Sequence, residues 1–344
     1  MNEAGAGAST LSAWLLVAGA LAALPAVAAD DDAREWLAGM TEAVATRTYQ
    51  GEFLHLANGH VEKLQILHRV KDGHVAERLV SLTNGREVVR TDSEVQCYLP
   101  DEHKVLVETH TEHGPLLGTL PTFGDNIEAN YRLEMAGRVR SVISRNARVL
   151  AVTPRDGYRF GYRVWIDEGT HMPVRTDLCD EQGNVLEQVL FTALRVGGVL
   201  ADAALKPALQ TDNYTWVRQG ASAALANASL LPWRLMRMPP GFQISSSGLE
   251  LLPGSERPVT HLVVSDGLAS VSVFIEGPSA PHRATDGTGR VGSAYAYSKV
   301  VGNLQVTAVG EVPPETVRLI ATGVSTASPP KLGFSGSAGV SSPQ

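Results

Sequence analysis

Motifs that would announce an enzyme are missing from this sequence. It has no G-x-S-x-G elbow for a serine nucleophile, no phosphate-binding loop, no H-E-x-x-H helix for zinc and no C-x-x-C pair. Its ten histidines are scattered. In the tightest group, His103, His110 and His113, the first two stand seven residues apart, which on a strand sends them to opposite faces. The acidic pairs Asp101-Glu102 and Asp180-Glu181 fall in expected hairpin turns, where carboxylates serve the local backbone. No catalytic residue, metal ligand or cofactor is expected.

Excess positive charge is missing as well. With 29 Lys and Arg against 36 Asp and Glu, the formal net charge is −7, so no large basic surface for nucleic acid is expected. Cysteine is scarce: Cys97 and Cys179 are the two, both in strand-like runs. An exported protein could bridge them, but a bridge needs Cα atoms about 4.4–6.8 Å apart, and spacing along the chain leaves that open. Beyond the N-terminus no run approaches about 18 uninterrupted apolar residues, so the mature chain is expected to be soluble.

The N-terminal segment, 1–29, reads as a cleaved signal peptide. Leu11–Leu24 is a short apolar run, Pro25 breaks it, and Ala26-Val27-Ala28-Ala29 supplies small residues at a cleavage site. It departs from the usual pattern in carrying Glu3 and no Lys or Arg before Leu11. Export to a periplasm follows. Next, Ala33–Thr46 places Trp36, Leu37, Met40 and Val44 at helical spacing.

From Tyr49 to Ala193 the pattern changes to short alternating strands. Asn58-Gly59 and Asn84-Gly85 supply hairpin turns, Pro100-Asp101-Glu102-His103 another, and Asn146, Asp167-Glu168-Gly169 and Gln182-Gly183-Asn184 punctuate the remainder. Roughly ten strands with few helices make a large antiparallel sheet, which must curl or be covered. The covers at hand are the Trp36 helix and the less regular stretch Leu116–Asn130. The expected fold class is α+β: a curved sheet with covering helices (30–197), a linker (198–230), a smaller α+β domain (231–323) and a tail rich in Ser, Pro and Gly (324–344). In the smaller domain Val259–Ser265 and Val271–Glu276 pair through Asp266-Gly267, and Tyr295–Val301 and Gln305–Gly310 pair around Gly302-Asn303. Gly277–Gly292 reads as a loop, and Pro313-Pro314-Glu315 opens a helix. Phe274, flanked by Val273 and Ile275, lies in a strand apolar on both faces, which is central in its sheet or at an interface.

Several segments resemble the MucB/RseB family. In the first domain these are Tyr49–Phe53, Glu77–Leu82, Arg86–Arg90, Cys97–Asp101, Leu186–Gln188 and the run Pro154-Arg155-Asp156-Gly157-Tyr158-Arg159-Phe160-Gly161-Tyr162-Arg163. In the second they are Met238–Phe242, Ser265–Glu276 and Gly302–Pro313. The resemblance implies a negative regulator of the sigma-E type of envelope stress response. Such a protein binds the periplasmic domain of a membrane anti-sigma factor, RseA or MucA, and shields it from site-1 proteolysis. It also implies a first domain similar to the half-barrel carriers LolA and LppX, with an apolar cavity that takes lipid or lipopolysaccharide fragments and so releases the partner.

On that reading Trp36, Leu37, Met40, Leu54, Leu64 and Ile66 line the lipid cavity. Arg234, Arg237 and Phe274 contact the anti-sigma factor, since arginine and aromatic residues anchor interfaces. A periplasmic lipid or lipoprotein carrier of the LolA type is the alternative. Homo-oligomerisation and the orientation of the two domains are left open by the sequence.

Overall fold

The computed structural model describes residues 27–109, 127–219, 223–224, 233–250, 258–277 and 286–326. Residues 1–26 of the expected signal segment 1–29, residues 116–126 of the expected cover Leu116–Asn130 and residues 327–344 of the expected tail 324–344 lie outside the described residues, while Val324–Thr326 form a strand and so correct the start of that tail.

Helix α1 (Val27–Thr46) forms because Ala33, Leu37, Met40 and Val44 fall on one stripe, and all four are buried. Eleven strands then follow: β1 (Tyr49–Ala57), β2 (His60–Lys71), β3 (His74–Ser81), β4 (Glu87–Arg90), β5 (Glu94–Leu99), β6 (Lys104–Thr109), β7 (Tyr131–Arg140), β8 (Asn146–Pro154), β9 (Gly161–Asp167), β10 (Pro173–Cys179) and β11 (Val185–Val196). The β1–β2 and β2–β3 turns are two residues long. Asn58 and Gly59, then Asp72 and Gly73, hold both central φ angles positive, as the tight hairpin turn that matches strand twist requires.

With β12 (Thr215–Gln219) these strands make one sheet in the order β12-β6-β5-β4-β3-β2-β1-β11-β10-β9-β8-β7. Among the described strands only β12 pairs in parallel, along β6. Its arrival corrects the expectation of a linker over 198–230. Leu205 is buried, Leu209 and Tyr214 pack on Val89, Tyr98, Val105 and Val107, and the Ala208 N–H donates to Glu87. Residues 198–219 therefore belong to the first domain: the outer face of β3–β6 is itself apolar and needs a cover. The Ala- and Gly-rich composition concealed this, because a few large side chains, Leu205, Leu209, Tyr214 and Trp216 among them, carry the packing.

The smaller domain holds β13 (Ala223–Ala224), β14 (Trp233–Leu235), β15 (Gln243–Glu250), β16 (Val259–Ser265), β17 (Ser270–Glu276), β18 (Gly287–Val291), β19 (Ala294–Val301), β20 (Leu304–Gly310), helix α2 (Pro314–Gly323) and β21 (Val324–Thr326). Seven of the strands form a sheet in the order β13-β15-β16-β17-β20-β19-β18, and β14 pairs with β21. The expected loop Gly277–Gly292 thus contains a strand, β18, whose residues are all exposed and so carry no apolar alternation to read. Helix α2 buries Val317, Ile320 and Ala321 on a core that includes Leu262, Val271, Val273, Val306 and Trp233.

Candidate functional site

The inner face of the large sheet divides in two. Over β1, β2 and β7–β11 it is closed by α1. Leu37 and Met40 pack with Tyr131, Leu150, Val164 and Ile166, while Ala43 and Val44 pack with Tyr49, Phe53, Ile66 and Phe191. Over β3–β6 no helix covers it among the described residues. There the register sets Ile66, Leu79, Val88, Cys97, Leu106 and Val217 side by side across six strands. Ile66 is fully buried, the next four are half-buried, and Val217 is exposed, so the row opens toward the β12 edge. One row over, His68, Glu77 and Arg90 form a buried polar chain, with His68 Nδ1 2.7 Å from Glu77 and Arg90 donating to Glu77 at 2.8 Å. The result is an apolar trough with a polar border, suited to acyl chains.

Of the residues expected to line a cavity, Leu37, Met40 and Ile66 sit in closed cores and Leu64 packs beside Phe53 and Ile66. Trp36 is half-buried, its ring tilted against His171 at 4.8 Å with the Arg148 guanidinium 5.2 Å from its centre. Leu54 does not join them. On β1 the buried residues are Tyr49 and Phe53, so Leu54, in the other phase, points to the outer face and is a correction to the expected lining. The trough residues Leu79, Val88, Cys97 and Leu106 went unread because Leu79-Val80 and Val88-Val89 are apolar at both phases, which hides the inward face.

The second feature is the seam between the domains. Arg159, in the loop between β8 and β9, is completely buried and donates to Asp156, to Asp266 and to the Pro240 carbonyl. Its guanidinium stands 4.8 Å from the Phe242 ring centre. Asp266, from the β16–β17 turn, also accepts from the Tyr131 hydroxyl at 3.1 Å and from the N–H groups of Leu268 and Ala269 at 2.9 and 2.7 Å. Burial and the adjacent Asp266 charge push the Tyr131 phenol far above its ordinary range. Gly241 (φ +80°) passes so close that a Cβ would collide with Asn130 and Arg159. Thr316 of α2 completes the seam by donating to the Tyr158 carbonyl at 2.9 Å.

Next to this lies a carboxylate pair. The Ser293 hydroxyl contacts Glu187 of the first domain and Glu311 of the second, and His55 stands 2.9 Å from Glu187. Burial pushes Glu311 up, and the neighbouring Glu187 charge adds to it, to about 7. For Glu187 burial also pushes upward, but the hydrogen bonds of His55 and Ser293 outweigh it and hold the carboxyl below its usual range. His55 is raised, chiefly by its contact with Glu187. None of these seam residues stood out by type, yet Asp156, Arg159, Glu187, Pro240, Asp266 and Glu311 all lie in segments that carried the family resemblance.

Arg234, Arg237 and Phe274, expected as partner contacts, do not form one patch. Trp233 and Val324 enter the core beneath α2, which puts β14 and the exposed Arg234 and Arg237 on the helix side. Phe274 projects from the opposite face of the central strand β17, half-buried and stacked on His261 at 4.6 Å. Cys97 and Cys179 are both free. They stand on β5 and β10, six strand spacings apart in the sheet order, roughly 29 Å along a flat sheet, which settles the question of a bridge between them.

Comparison with known proteins matches residues 32–209 to the MucB/RseB N-terminal domain and residues 227–325 to the MucB/RseB C-terminal domain. The sigma factor AlgU regulatory protein MucB of Pseudomonas aeruginosa is 34% identical over 317 residues, covering 90% of this chain and 96% of that protein. The sigma-E factor regulatory protein RseB of Escherichia coli strain K12 is 29% identical over 299 residues, 83% of this chain and 88% of the relative. Among solved structures, the P. aeruginosa MucA/MucB complex aligns with a TM-score of 0.68 at 30% identity, covering 87% of this chain and all of the matched one. A crystal structure of MucB with the periplasmic part of MucA aligns at 0.66 with the same identity and coverage. Both domains, their order and the full span agree, and the chain belongs to the MucB/RseB family.

Proposed function

We propose that this protein is a periplasmic negative regulator of sigma-E-type envelope stress signalling, which binds the periplasmic domain of a MucA- or RseA-like anti-sigma factor and protects it from site-1 proteolysis. The observation that carries this reading is the two-domain likeness to MucB bound to MucA, which extends over 87% of the chain. The trough over β3–β6 supplies the sensing half: a lipid or lipopolysaccharide acyl chain lies along Leu79, Val88, Cys97 and Leu106 and weakens the hold on the partner. At about 0.8 kcal/mol per buried CH₂, two methylenes shift an equilibrium roughly tenfold. The outer face of the second sheet around Phe274 and His261 is the proposed partner contact, with Ser272, Val263 and Thr307 as neighbours and His261 held 2.7 Å from Glu250.

Titration calorimetry tests this, using the mature chain, the anti-sigma periplasmic domain from the same genome, and lipopolysaccharide fragments. Tight binding that the fragments weaken supports the regulator. Lipid binding without any anti-sigma binding overturns it in favour of a LolA-type carrier.

A further inference from the structure

We propose that the contact between Glu187, Ser293 and Glu311 is a proton-operated latch, which holds the two domains together in mildly acidic solution and lets them part as the solution becomes alkaline. The geometry comes first. A serine hydroxyl has one hydrogen, yet the Ser293 oxygen touches carboxylate oxygens from both domains. It can donate to one of them only, so the other must carry a proton and donate to it. Glu187 is the ionised member, because its second oxygen faces His55 at 2.9 Å. Glu311, on which His55 acts more weakly than burial and the Glu187 charge do, holds the proton.

The surrounding groups leave it there. His55 comes from β1, Glu62 from β2, Tyr162 from β9 and Glu187 from β11. The second domain brings Glu311, Asp266 and Ser293. The charges facing the pair are therefore one imidazolium against several carboxylates, and Tyr162 is itself pushed up by burial and by Glu311 and Glu187. With the domains apart, Glu311 is solvated and titrates at an ordinary glutamate value, and the seam keeps it protonated to about 7. The closed form then binds the extra proton. Its added stability is complete below about 4.5 and disappears as the pH rises through about 7. Across that window the closing equilibrium changes on the order of tenfold to a hundredfold. The inference concerns the chain alone and does not depend on the proposed partner.

Hydrogen exchange of the full chain at pH 6.0 and pH 8.0, corrected for the intrinsic chemical rate, reads the latch through peptides spanning 154–162, 238–242 and 291–295. The unmodified protein is expected to lose about tenfold or more of its protection there at pH 8.0, while peptides of β16 and β17 keep theirs. Glu311→Gln, which retains an N–H donor and cannot ionise, is expected to stay protected at both pH values. Equal protection of the unmodified protein at the two pH values overturns the proposal without any variant. So does a Glu311→Gln protein that opens with pH as the unmodified one does.

Discussion

Asp266→Ala is the sharpest test of the seam. It removes the acceptor for Arg159, Tyr131 and two backbone N–H groups at once, and leaves a fully buried guanidinium with Asp156 and the Pro240 carbonyl. Breaking a buried pair from one side costs about 3–5 kcal/mol. At about 2–4 °C per kcal/mol the melting temperature falls by roughly 10 °C. Arg159→Met should cost less, about 2–3 kcal/mol, because Asp266 keeps Tyr131 and both N–H donors. The double variant should fall short of the sum by about 1 kcal/mol or more, since the two side chains share one network. Glu134→Ala, which breaks the exposed 3.4 Å pair with Arg132, should change stability by less than about 0.5 kcal/mol. Scanning calorimetry of the full chain at pH 6.5 measures all four. A shift under about 3 °C for Asp266→Ala, or a larger loss for Arg159→Met than for Asp266→Ala, refutes the reasoning.

Gly241→Ala should destabilise by about 2 kcal/mol or more, because it combines a positive φ with a collision against Asn130 and Arg159, and thermal melting reads it directly. Two free thiols per chain should appear on alkylation under denaturing, non-reducing conditions. In the folded protein both should react slowly, since burial raises the Cys97 and Cys179 thiols. A disulfide-linked species would contradict the sheet order. Leu106→Glu should weaken binding of a fluorescent fatty acid about tenfold, whereas Leu54→Glu on the outer face should leave it unchanged; equal losses would show that the trough is not the binding surface.

Strands with one apolar phase and a glycine turn were legible in the sequence, as β1 and β2 around Asn58-Gly59 and β16 and β17 around Asp266-Gly267 show. Which phase faced inward was legible for Leu37, Met40 and Val44 of the helical stripe, whose Trp36 is only half-buried, and misread at Leu54, because Phe53 and Leu54 are adjacent and both apolar. The strand β12 escaped notice since parallel pairing to β6 has no turn to announce it. The seam could not be read from any local window. Arg159 and Asp266 lie 107 residues apart, and nothing in the run around either says that it will be buried. Only the resemblance of both runs to one family pointed to them together.

The trough and the seam lie on different strands and are joined by the closed core between them, and that carries a quantitative consequence. On β1, Phe53 enters the core beside Ile66 while His55, two residues on, faces Glu187. Leu268, next to the seam aspartate, packs on the cluster that holds Leu37 and Met40. A ligand that displaces Ile66 at the head of the trough therefore acts through Phe53 on the strand that carries His55. Coupling between two equilibria is reciprocal. If lipid opens the seam by some factor, opening the seam must strengthen lipid binding by that factor. Glu311→Gln, latched, should then bind a fluorescent fatty acid more weakly than Asp266→Ala, unlatched, and the ratio should match the difference in seam protection measured by hydrogen exchange. Equal affinities in the two variants would mean that trough and seam are energetically separate, and that lipid-driven release of a partner has to act through the outer face of the second sheet.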